Sequence, residues 1–101
     1  MRKIINGKMY NTETASEIDS WWNGKSVRDF GYCKETLYKK KTGEFFLYGE
    51  GGAATAYRSK WGDMWGDGTK IIPMTDAETR EWVECKLDAE VYIELFGEPE
   101  E

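Results

Sequence analysis

Apolar and polar positions alternate most regularly at 35–52, ETLYKKKTGEFFLYGEGG. Leu37 and Lys39 alternate with Tyr38 and Lys40, and Phe45 and Leu47 alternate with Phe46 and Tyr48, a period of two that predicts paired strands around a Thr42-Gly43 turn. Ring contacts across the pair are its expected source of stability. At the start of the chain, KIINGKMY places Asn6-Gly7 between apolar residues and predicts a short hairpin or strand end. A helical period is expected next: Ala15, Ile18 and Trp22 recur at i, i+3 and i+7 behind a cap at Asn11 or Thr12, with Asn23-Gly24 as the stop.

Gly49, Gly51 and Gly52 end the alternation, and residues 53–70 show no sustained period. So long a connection in so short a chain points to a functional loop. Residues 70–74 read as a short strand that Pro73 ends or keeps at an edge. Thr75 and Glu78 form a capping-box pair, and Trp82, Val83, Cys85 and Leu87 supply the apolar face of the helix behind it. A second helix over roughly 88–96 places Ala89, Tyr92, Ile93 and Phe96 on one side, with Gly97 as its stop. The order β-α-β-β-β-α-α predicts an α+β domain over 1–97. It is a small antiparallel sheet with a central hairpin, on which one N-terminal and two C-terminal helices pack, followed by an acidic tail at 98–101.

Composition and charge change this picture. Aromatics make up 15% of the 101 residues, which suits one packed domain rather than a disordered chain. No run approaches a membrane span and the N-terminus carries no signal-like apolar segment, so a cytoplasmic protein is expected. Cys33 and Cys85 then read as reduced, buried thiols, with a Cys33–Cys85 disulfide as the alternative. The chain has no histidine, which removes the commonest general base and metal ligand and points away from an enzyme. Charge is uneven as well. Residues 1–50 carry a net +2, whereas residues 74–101 hold ten carboxylates against Arg80 and Lys86, a net of −8. Such a surface repels phosphate backbones, so no direct nucleic-acid partner is expected.

GEGGAA at 49–54 has the outline of a dinucleotide fingerprint but lacks the surrounding βαβ unit and reads as a turn. Asp63 and Asp67 fall short of a calcium loop, and neither a metal, a cofactor nor a catalytic group is expected. Lys39, Lys40 and Lys41 beside Tyr38 and Tyr48 read as a strand end whose charges guard an edge. Two features fit a protein partner. Tyr57, Arg58, Trp61, Asp63, Trp65 and Asp67 lie in or beside WGDMWGDG and include the residue types that anchor interfaces, although Trp61 and Trp65 could equally plug the core. Glu78, Glu81, Glu84 and Asp88 form an acidic row that is either a solvated helix face or a mimic of a phosphate backbone.

NGKMYNTETA, ETLYKKKTGEFFLYGEGG and KIIPMTDAETREW resemble small bacterial proteins encoded on phages and other mobile elements, over nearly the whole chain. Proteins of that setting include anti-restriction and anti-CRISPR factors. The resemblance therefore implies a non-enzymatic inhibitor that binds a host defence nuclease such as a CRISPR effector, and it brings no catalytic residue. The alternative is an accessory protein of the element, monomeric or homodimeric, that pairs with itself or a sister protein.

Overall fold

A computed structural model describes residues 1–101, and its centre is the hairpin of the strongest alternation. Strands β3 (Ser16–Trp22), β4 (Cys33–Lys39), β5 (Phe45–Gly51) and β8 (Gly68–Met74) form an antiparallel sheet in the order β3-β4-β5-β8. Two small hairpins complete the strands: β1 (Arg2–Ile5) with β2 (Lys8–Asn11), and β6 (Ser59–Trp61) with β7 (Met64–Gly66). Helices α1 (Asp76–Lys86) and α2 (Ala89–Phe96) end the chain.

Alternation along β5 divides the core in two. Phe45 and Leu47, with Leu37 from β4, face α1 and α2 and pack on Trp82 and Val83. Phe46 faces the other way, against Tyr10 of the N-terminal hairpin and Ile71 of β8. Tyr38 stacks on Phe46 at 5.2 Å, and Tyr10 meets it edge-on at 5.5 Å. The sheet is therefore covered by helices on one face and by β1–β2 on part of the other. The Asn6-Gly7 turn has positive φ at both residues, 51° and 77°, as a tight two-residue hairpin requires.

The N-terminal helix does not form, and the protein is mostly sheet with helices only at its C-terminus. Residues 16–22 make strand β3, whose pairing with β4 shifts between Glu17 and Asp19. The extra residue turns Ile18 onto the helix-covered face together with Trp21, whereas Ala15 packs on the opposite face and Trp22 is exposed, so the helical spacing of Ala15, Ile18 and Trp22 marks no common face. The expected caps make a turn instead: Asn11 Oδ1 accepts from the Glu13 amide, and Thr12 Oγ1 accepts from the N-terminal ammonium.

Other boundaries change as well. The stretch 53–70 contains β6–β7 and the start of β8 rather than an unstructured loop. Gly49 and Gly51 lie inside β5, where a Cβ would collide with Tyr57 and Thr55, so these glycines admit a returning chain rather than make a turn. The lysines after β4 guard no edge, because β4 and β5 are interior strands, and Lys40 lies 4.2 Å from the Tyr10 ring centre. Helix α1 carries the capping box of Thr75 and Glu78, but it buries Thr79 with Trp82 and Val83 and leaves Cys85 exposed. Cys33 is half-buried, and burial pushes its thiol pKa up. In α2, Val91, Tyr92, Leu95 and Phe96 meet the core, while Ala89 and Ile93 face outward. No helix is long and apolar enough to cross a membrane.

Candidate functional site

WGDMWGDG is a hairpin. Trp61 pairs with Met64 across a Gly62-Asp63 turn, and Gly62 supplies φ = 65° at the first turn position, where a side chain would be strained. Three-residue strands cannot bury a face of their own, so the hairpin holds its rings at the surface. Trp61 is 64% exposed, Met64 73% and Trp65 49%. Both tryptophans are thus outward-facing rather than core plugs.

Each ring is held in place. Arg58 stacks its guanidinium 4.4 Å from the Trp65 ring centre, and the Lys60 ammonium lies 5.7 Å from it. Trp61 lies across Gly66, where a Cβ would press into the indole, and its Nε1 donates to the Asp67 carbonyl at 3.2 Å. Asp63 sits exposed at the hairpin tip and Asp67 beyond its base, about 13 Å further along an extended chain. No three Cys, Asp or Glu side chains converge as a metal-binding group.

Tyr57 faces inward. It is 4% exposed, packs over Gly49, and donates its hydroxyl to Glu35. Trp82 Nε1 donates to the other Glu35 oxygen at 3.0 Å, so this carboxylate ties the segment before the hairpin to helix α1. Burial, with the Glu35 carboxylate against the hydroxyl, pushes the Tyr57 pKa far up and keeps the phenol protonated. Tyr57 thus positions the hairpin from beneath.

Glu78, Glu81, Glu84 and Asp88 are exposed. The two cations of this region are drawn inward onto rings: Arg80 lies 4.8 Å from the centre of Phe96, and Lys86 lies 3.7 Å from that of Trp21. The outer helical surface is left acidic.

Sequence reasoning missed the surroundings of the hairpin. Trp22, Val27 and Phe30 are exposed by 55%, 73% and 74%. The Phe30 carbonyl accepts from the Ala54 amide, which ties this loop to the segment leading into the hairpin. A cleft of about 450 Å³ runs between Val27, Tyr32, Glu50, Trp61, Asp67 and Thr69. A second, of about 360 Å³, shares Val27 and Tyr32 and is lined by Trp22, Lys25 and Lys34. Strand parity places Lys34 and Glu50 opposite each other on the face that β1–β2 leaves partly open. Only the aromatic content of 22–32 could have signalled this surface, because its parts meet through pairing of distant strands.

Together the fold and this surface define a small α+β protein with an aromatic hairpin presented from the end of an antiparallel sheet. No protein-family model, curated protein or solved structure matches the chain.

Proposed function

We propose that this is a non-enzymatic cytoplasmic binding protein whose β6–β7 hairpin anchors it to a protein partner. One observation carries the reading: Trp61 and Met64 are exposed as a cross-strand pair on one face of the hairpin and Trp65 on the other, on strands whose tight turn fixes their position. Large exposed apolar groups that are held rigid lose little entropy on docking, and tryptophan and arginine dominate interface energetics. The resemblance to mobile-element proteins supplies the partner class, a host defence nuclease and specifically a CRISPR effector, which the protein inhibits. The exposed acidic row on α1 suits the basic channel of such a nuclease.

The test is inhibition of target cleavage across a panel of CRISPR effectors. Trp61→Ala combined with Trp65→Ala is expected to lose inhibition by at least about tenfold with an unchanged circular dichroism spectrum. Undiminished inhibition by that variant overturns the hairpin as anchor. Charge reversal at Glu81, Glu84 and Asp88 is expected to abolish inhibition as well, and full activity would remove the acidic face from the account. Self-association is the second reading, favoured by β3 and β8, each of which leaves one edge of the sheet unpaired. A stable homodimer in sedimentation that is lost with Trp61→Ala would replace the inhibitor reading.

A further inference from the structure

The molecule repeatedly places a cation over an aromatic ring. Lys39 lies over Phe45, Lys40 over Tyr10, Arg58 and Lys60 over Trp65, Arg80 over Phe96, and Lys86 over Trp21. Trp61 is exposed and carries none of the chain's own cations. The cleft beside it is lined by two carboxylates, Glu50 and Asp67, by two aromatic side chains, Tyr32 and Trp61, and by no lysine or arginine. Glu50 is fixed in place, because Tyr32 donates its hydroxyl to Oε1 at 3.1 Å. Lys34, its cross-strand neighbour, lines the adjoining cleft and makes no ion pair with it.

An aromatic wall beside two carboxylates is the environment that desolvates and pairs a cation. We propose that this cleft takes an arginine side chain of the partner, stacked on Trp61 with its guanidinium between Glu50 and Asp67. A guanidinium suits the cleft better than an ammonium, because its flat face can lie on the indole while its fork of N–H groups meets carboxylates. The same hairpin holds Arg58 on Trp65 in that manner. This inference rests on the hairpin being the docking surface, and it adds the chemistry of what docks: a basic segment of the partner, matching the protein's net charge of −5.

The probe is N-acetyl-arginine amide, titrated into the full-length protein labelled with nitrogen-15. The Trp61 indole N–H and the Thr69 amide resonances are expected to shift saturably. The uncharged isostere N-acetyl-citrulline amide should leave them in place, and the capped lysine should bind more weakly. Glu50→Gln, which keeps an acceptor for Tyr32, should weaken arginine binding about fivefold or more with an unchanged melting temperature, and Trp61→Ala should abolish it. Lys34→Gln should strengthen it by removing a nearby like charge. A missing arginine response, an equal response to citrulline, or unchanged affinity in Glu50→Gln overturns the proposal. If the tryptophan variants lose nuclease inhibition while arginine fails to bind, the docking surface stands and the cleft's assignment falls. If arginine binds as described while those variants inhibit normally, the cleft stands and the anchoring role falls.

Discussion

Glu35 is half-buried on the helix-covered side of the sheet and accepts from two donors, the Tyr57 hydroxyl at one oxygen and Trp82 Nε1 at the other. A carboxylate so placed persists because both oxygens are satisfied, and removing one donor leaves that oxygen underpaired where water replaces it poorly. Gly49 makes the arrangement feasible by leaving room for the tyrosine ring. Tyr57→Phe preserves the ring's packing and removes only the hydroxyl, so it is expected to cost about 1 kcal/mol in equilibrium denaturation. It should also change the alkaline limb of stability. The native Tyr57 pKa lies above the ordinary value of 10.0, so its contribution is fully present below about pH 10 and is lost as the unfolded phenol ionises above it. The variant should therefore lose stability less steeply above pH 10 than the parent. Equal slopes would mean that the Tyr57 hydroxyl carries none of the coupling.

At the scale of elements, α1 is the segment whose local signals are most complete. Thr75 Oγ1 accepts from the Glu78 amide at 3.1 Å, and the Glu78 carboxylate accepts from the Thr75 amide at 2.9 Å. The hydrogen bond from the Thr75 amide holds the Glu78 pKa below its ordinary 4.5, so its contribution is present above about pH 4.5 and is lost as pH falls below that. Thr75→Ala should lower stability by about 1 kcal/mol at neutral pH, and a variant with parental stability would show that tertiary packing alone fixes the helix start. The capping box and the Asn6-Gly7 and Thr42-Gly43 turns were legible because each is complete within a few neighbouring residues. β3 was not, since Ala15, Ile18 and Trp22 have a helical spacing yet share no face: Ala15 packs beside Phe46, Ile18 is turned by the bulge onto the helix-covered face, and Trp22 is exposed, which only pairing with β4 explains. β6–β7 was missed because strands of three residues have no measurable period, although the Gly62-Asp63 pair is itself a hairpin turn signal. For the site, Trp61 and Trp65 were named from residue type alone. The cleft was hidden, because Tyr32, Glu50 and Thr69 lie on three segments that meet only when β4, β5 and β8 pair.

At the scale of the whole molecule, little is enclosed. The dimensions are 49 × 33 × 20 Å with a radius of gyration of 14.7 Å, above the roughly 13 Å expected of a spherical domain of this length. Only 14 of 101 residues are buried. Charge is arranged just as openly. Of 19 carboxylates, Glu44 alone is ion-paired, by Lys8 and Lys40. Six of the 14 cations lie over aromatic rings, and of these only Lys40 is also ion-paired. The acidic groups of 74–101 therefore repel one another with little internal compensation, and their mutual repulsion favours the expanded chain. Short-range stacking of cations on rings is less sensitive to screening than repulsion spread over tens of ångströms. Added salt should consequently stabilise this protein. Raising sodium chloride from about 10 mM to about 300 mM at pH 7 shortens the screening length from roughly 30 Å to under 10 Å, and the melting temperature should rise on the order of 3 °C. A fall over the same range would mean that attractive ion pairs dominate. Glu81→Gln combined with Glu84→Gln should reproduce part of the gain at low salt, because the repulsion that salt screens originates in that row and would equally be relieved by a basic partner.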